Sequence, residues 1–256
     1  MDSERFNKCD NYLQTLNRVN KKTKSDDTIN VLKELHLSLQ DSFVSNEAYV
    51  VYNVLPTICK RFNDNPKVYD EVLNMGLNYI SKFSIQTFPL IFRLLADIID
   101  NNGKWKIKIG CLELLKQYII RIEKYDRDLL SVSLSKLIPS FRDMVHDTKQ
   151  EVSDLSVEVL TLAMSGLTNK DLEPFIPQLI KAMRDPEQIE ETIQQIGGVV
   201  FVQTIESCAL SVMVSLMENG FRHSKFLIQR LCARIVSNMS KLVEDPIEAE
   251  PFLEAL

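Results

Sequence analysis

The stretch "FIPQLIKAMRDPEQIEETI", residues 175–193, carries two apolar runs at helical spacing with the polar knot Arg184-Asp185-Pro186-Glu187 between them. A knot of this kind stops one helix and starts the next. Asp185 suits the N-cap because its carboxylate accepts a free backbone N–H, Pro186 suits the first helical position where no donor is needed, and Gln188 stands three residues on. Asn65-Pro66 repeats the pattern before "KVYDEVLNMGLNYI", and Asp245-Pro246 repeats it with Glu248 three residues after the aspartate. Thr148-Lys149-Gln150-Glu151 has the form of a capping box without the proline. A chain punctuated this way folds into short helices joined by tight turns.

One turn marker per helix pair falls near Asp64, Asn101, Asp147, Asp185 and Asn219, at intervals of 37, 46, 38 and 34 residues. Such intervals fit HEAT-type helix pairs. The predicted pairs are 46–62 with 67–82, 84–101 with 103–124, 128–146 with 148–166, 170–184 with 186–204, and 206–218 with 221–243, and a sixth opens at 245–256. Residues 1–40 are read as an N-terminal helical cap and linker, with a helix over "DTINVLKELHLSLQ" after the polar break "NKKTKSDD", and 41–256 as the repeat domain. Pro56, Pro89, Pro139 and Pro177 each fall in the first helix of a pair, which predicts helices that bend or start late. No pair can bury its apolar stripe alone, so the pairs must stack. The expected fold is all-α: a HEAT-repeat α-solenoid, a right-handed superhelix of antiparallel helix pairs. The last run, "EPFLEAL", opens a helix with no partner in this sequence, which suggests a piece of something longer or a frayed last turn.

Composition agrees with this. Only 7 glycines in 256 residues and a hydrophobic share of 45% without strand-like alternation favour helices. Five cysteines, Cys9, Cys59, Cys111, Cys208 and Cys232, form no CxxC pair, which argues against a zinc cluster or a disulfide framework and for reduced core thiols. No charged-then-apolar leader opens the chain, so secretion is not expected. Residues 196–217 are apolar enough to need a membrane check, but Gln203 and Glu206 near the middle make a lipid span costly, and two buried helices meeting near 204–207 are expected instead.

From "NGKWKIKIGCLELL" onward the chain resembles the N-terminal HEAT domain of fungal translation elongation factor 3, most closely at "LIPSFRDMVHDTKQEV", "NKDLEPFIPQLIKAMRDP", "IGGVVFV" and "SNMSKLVEDPIEAEPFL". The resemblance covers about 103–256, with little match over 1–100. A similar block occurs in the large HEAT regulator that activates the amino-acid-starvation kinase on ribosomes. The resemblance implies a cytoplasmic, ribosome-docking scaffold of the elongation phase, with ribosomal RNA and ribosomal proteins as partners and other translation factors beside them. In elongation factor 3 the ATP chemistry lies in two cassettes downstream of the HEAT repeats. This sequence has no GxxxxGK[ST] phosphate loop, so that activity is not carried over. A non-catalytic HEAT fragment or shortened homologue without cofactor, small-molecule substrate or membrane partner is expected.

A net charge of −5 gives no global attraction for nucleic acid, so any basic surface must be local. Helix 103–124 carries Lys104, Lys106, Lys108, Lys116, Arg121 and Lys124 against Glu113 and Glu123, with Trp105, Ile109 and Leu112 as its apolar stripe. Helix 221–243 carries Arg222, Lys225, Arg230, Arg234 and Lys241 with no acidic residue, and Leu227, Ile228, Leu231, Ile235, Met239 and Leu242 make its expected buried side. Lys104, Lys106, Lys108, Arg222, Lys225, Arg230, Arg234 and Lys241 are the candidate RNA-binding residues. The plainer alternative is solvated helix faces, partly paired with Glu187, Glu190 and Glu191. Trp105, the sole tryptophan, is expected to pack in the core, with base stacking as the alternative. His36, His146 and His223 stand apart, with no HExxH and no GxSxG in the sequence. Asp143, Asp147, Glu151 and Asp154 gather round one turn, where capping accounts for them. Gly197-Gly198 reads as a costly pair inside a helix, justified by close approach of a neighbour. The rival function is a HEAT adaptor that holds a protein or peptide in its groove, as transport and assembly scaffolds do.

Overall fold

The computed structural model describes residues 3–19, 23–40, 46–101, 103–243 and 247. It falls into two compact units, Met1–Arg121 and Ile122–Leu256. No strand occurs among the described residues.

The first unit opens with α1 (Ser3–Arg18) and α2 (Ser25–Gln40), so the segment 1–40, expected to carry at least one helix, holds two. A short turn, α3 (Glu47–Tyr49), runs through a π-helical stretch, Val50–Val54, into α4 (Leu55–Cys59) and a 3₁₀ turn, Lys60–Asn63. Pro56 sits at the start of α4, directly after the π turn that Leu55 N–H closes on the Val50 carbonyl. Then come α5 (Pro66–Lys82), a 3₁₀ turn at Ile85–Thr87, α6 (Phe88–Asp100) and α7 (Trp105–Tyr125). Asn65 caps α5 as its sequence predicts, accepting from Val68 N–H at 3.1 Å. Pro89 stands in the first turn of α6, so that helix starts late. The unit's core includes Phe62, Tyr79, Phe83, Phe88 and Tyr118, all at most 1% exposed. Gly110 is where α7 meets Phe62; a Cβ there would overlap the ring.

The second unit contains α8 (Arg127–Met144), α9 (Gln150–Ala163), α10 (Ile176–Arg184), α11 (Ile189–Gly197), α12 (Ser207–Phe221) and α13 (Phe226–Ser240). Helices 8 with 9, 10 with 11 and 12 with 13 pack as hairpins, and α11 also packs along α13. Pro139 lies inside α8, whereas Pro177 starts α10 after a 3₁₀ turn. Because α10 has only nine residues, α8 reaches past it to pack along α12, where Ser131 Oγ meets Cys208 Sγ at 3.5 Å and Arg142 pairs with Glu218 at 3.0 Å.

Several expectations need correction. Thr148 is not a cap: Lys149 holds the cap position without a side-chain bond, and Asp147 Oδ1 instead accepts from Lys149 N–H at 2.9 Å. Asp185 does cap, but a 3₁₀ turn, Pro186–Gln188, precedes α11, and Gln188 reaches the Asp185 carboxylate rather than its backbone. The helix expected over 186–204 ends at Gly197, and residues 199–206 are not helical. Phe201 and Ile205 are buried while Val200 and Val202 are 79% and 71% exposed, an in-out alternation that belongs to extended chain. Asp171 Oδ2 holds this link by accepting from Val202 and Gln203 N–H at 2.8 and 2.9 Å, and Asn169 Nδ2 donates to the Thr204 carbonyl at 3.2 Å. Gly197 therefore ends a helix, though close approach also holds there, since a Cβ would stand 3.2 Å from Leu231. The cap at Asp245-Pro246 and, apart from Ile247, the sixth pair expected to open at 245–256 lie outside the described residues.

Candidate nucleic-acid interface

Helix ends leave backbone carbonyls without partners, and arginine reaches them well because its guanidinium is long, planar and always charged. Among the described residues four arginines do this. Arg61 Nη1 donates to the Val19 carbonyl beyond α1 at 3.3 Å. Arg121 Nη1 donates to Ile80 and Phe83 at the end of α5, at 2.7 and 2.6 Å. Arg127 Nε donates to Ser165 after α9 at 2.7 Å, and Arg234 Nη2 donates to Gly197, the last residue of α11. These bonds span 42, 41 and 38, 38, and 37 residues, one repeat length each. A cation also suits the negative end of a helix dipole. Two arginines of the helices read as basic faces, Arg121 and Arg234, are thus structural caps.

On α13 the candidate residues divide further. Lys225, the residue before the helix, binds Glu190 of α11 at 2.7 and 2.6 Å, and this ammonium holds the half-buried Glu190 carboxyl below its ordinary value. His223 Nε2 lies 3.9 Å from the same carboxylate. Arg222 belongs to the end of α12, not to α13. It borders a cleft of about 400 Å³ shared with Arg142, Asp143, His146, Glu218 and Asn219, whose charges largely cancel. Arg222, Arg230 and Lys241 are exposed and make no ion pair among the described residues. The buried stripe is Ile228, Cys232, Ile235 and Met239. Leu227, expected within it, is 57% exposed beside Phe226 at 75%, because α13 turns these first residues away from α11 and α12.

At the start of α7, Lys104 is exposed while Lys106 and Lys108 are half-buried. Trp105 is not a core residue. It is 41% exposed, with the Lys106 ammonium 5.8 Å from its ring centroid, because the stripe that packs inward is Ile107, Cys111, Leu114 and Tyr118.

Among the described residues no group of His, Cys, Asp and Glu could hold a metal. None of the five cysteines forms a disulfide and all are buried, and burial pushes Cys208 and Cys232 up to about 11, which leaves them as poorly nucleophilic thiols. Desolvation lowers His36, whose ring packs on Tyr79 at 5.5 Å. No described helix is long and apolar enough to cross a membrane.

Comparison with known proteins agrees with these helix pairs. Residues 4–160 match the family model of the EF3 N-terminal HEAT repeat, and residues 187–256 match that of the elongation factor 3/GNC1 HEAT repeat. The first match corrects the expectation of little similarity before residue 100. Elongation factor 3 of Candida glabrata is 33% identical over 214 residues, 83% of this chain and 20% of that protein. Elongation factor 3A of Saccharomyces cerevisiae is 33% identical over 216 residues, with the same shares. The mRNA export factor elf1 of Schizosaccharomyces pombe is 32% identical over 206 residues, 79% of this chain and 19% of that protein. The chain therefore spans about a fifth of the length of these curated relatives. With both family models falling on its helix pairs, the chain belongs to the elongation factor 3 family as an all-α HEAT-repeat solenoid of the N-terminal region.

Proposed function

We propose that this chain is a non-catalytic HEAT scaffold that binds the ribosome during translation elongation, in the cytoplasm, through local basic surfaces that meet ribosomal RNA and ribosomal proteins. The observation that carries this reading is the exposed set Arg222, Arg230 and Lys241, cations without an ion pair among the described residues in a chain of net charge −5. Exposed cations that no carboxylate of the described residues engages are available to phosphate oxygens, whose neutralisation releases counterions. Relatives named as elongation factors support the ribosome as the target.

The test is co-sedimentation with purified ribosomes at low and moderate salt. Binding is expected to weaken steeply as salt rises, and joint reversal of Arg222, Arg230 and Lys241 to glutamate is expected to weaken it at least tenfold. Binding that is absent at low salt, or indifferent to salt and to the triple reversal, overturns the proposal.

A second reading, an adaptor for a protein partner, is favoured by the exposed Phe226 and Leu227. Loss of a non-ribosomal partner in Phe226→Ser/Leu227→Ser, with ribosome binding intact, would support it instead.

A further inference from the structure

Trp105 opens α7 with lysines on both sides in sequence, Lys104 and Lys106, and Lys108 one turn on. A single exposed aromatic is ordinary on a protein surface. This one differs in what surrounds it. At 41% exposure, about 100 Å² of the largest side chain in the protein stays in water. Its ring lies 5.8 Å from the Lys106 ammonium, Lys104 is exposed beside it, and residues 103–112 include no carboxylate. The acidic group that faces Lys104 from a packed element is Asp64, and Asp64 is itself paired with Arg61 at 3.6 Å. The buried stripe of α7, from Ile107 through Tyr118, does not need the ring.

We propose that Trp105, with Lys104, Lys106 and Lys108, forms a stacking platform for an unpaired RNA base, the lysines taking the flanking phosphates. A flat π-face supplies contact that tolerates any base, and the cations supply attraction to the strand; together they are the two components by which single strands are held. Duplex RNA hides its base faces, so the platform selects unpaired segments. This deepens the ribosome-binding reading by naming the class of RNA, and it rests on that reading only for where the RNA comes from.

Because Trp105 is the sole tryptophan, its fluorescence reports the contact directly. The 256-residue chain is titrated with a single-stranded RNA 12-mer, the same sequence as a duplex, heparin and polyglutamate. The single strand is expected to quench the emission by more than about half, and each of the other three by less than a tenth of that. Trp105→Ala should weaken binding of a labelled single strand about tenfold with an unchanged circular dichroism spectrum, and Trp105→Phe should restore part of it. Lys104→Glu/Lys106→Glu should flatten the salt dependence. Equal quenching by heparin, stronger quenching by polyglutamate, or wild-type affinity in Trp105→Ala overturns the platform. Quenching that persists in a chain failing ribosome co-sedimentation sinks the ribosome reading and leaves the platform standing.

Discussion

Helices α7 and α13 look alike as strings, each a basic amphipathic helix in an acidic protein, yet they spend their cations differently. On α7 the arginine near the C-terminus, Arg121, is folded onto two carbonyls at the end of α5, while the lysines at the N-terminal end flank an exposed ring. On α13 the order changes. Lys225 before the helix is engaged with Glu190, and Arg234 in the middle caps α11, which leaves Arg230 and Lys241 outward. Equal charge along a helix therefore says little about contact. What decides is whether a neighbouring helix ends within reach of each guanidinium, and that depends on how the pairs are stacked.

The comparison breaks most readily at Arg121. Its two bonds are part-buried, so Arg121→Ala is expected to cost about 2–3 kcal/mol by leaving the α5 carbonyls unpaired. Chemical denaturation measures it, and a loss below about 0.5 kcal/mol would make Arg121 a surface residue after all. Arg234→Ala should cost less, about 1 kcal/mol, since its single bond to Gly197 is exposed. If the two variants are equally stable, the difference drawn between the helices is wrong.

The smallest effect belongs to Lys225 and Glu190. The carboxyl is held below its ordinary 4.5, chiefly by the hydrogen bond from Lys225. A carboxylate with a depressed folded value stabilises the fold above the unfolded value, and that contribution is lost as pH falls through the depressed one. The melting temperatures of the native chain and Glu190→Gln should therefore differ slightly at neutral pH and converge in acid. A gap that widens in acid would contradict the assignment.

Much of the fold could be read in advance because caps and prolines act locally. Asn65 and Asp185 bond to backbone within three residues, so their effect is written where they stand. The break after Gly197 was also visible in principle. The run "VVFVQTIE" is rich in β-branched residues, but an apolar run can be mistaken for a buried helix when periodicity is judged over too long a window. Its in-out pattern is fixed by Asp171 and Asn169, about thirty residues upstream, which no local reading connects to it.

The candidate interface was less legible. From the sequence, Glu187, Glu190 and Glu191 stand only as a group that could pair with the cations, and of these Glu190 engages Lys225, itself a candidate RNA-binding residue. Helical phase points Trp105 and Leu227 inward, yet both are exposed at the first turn of their helices, while Ile107 and Ile228 beside them are buried.

The amino-acid string by itself determined that this protein is a series of short helices in pairs, since glycine scarcity, N-caps and first-turn prolines act over three or four residues. Only the tertiary structure decided which cations are caps and which face water. A carbonyl that needs a donor and the arginine that supplies it stand 37 to 42 residues apart, and their meeting depends on packing between repeats.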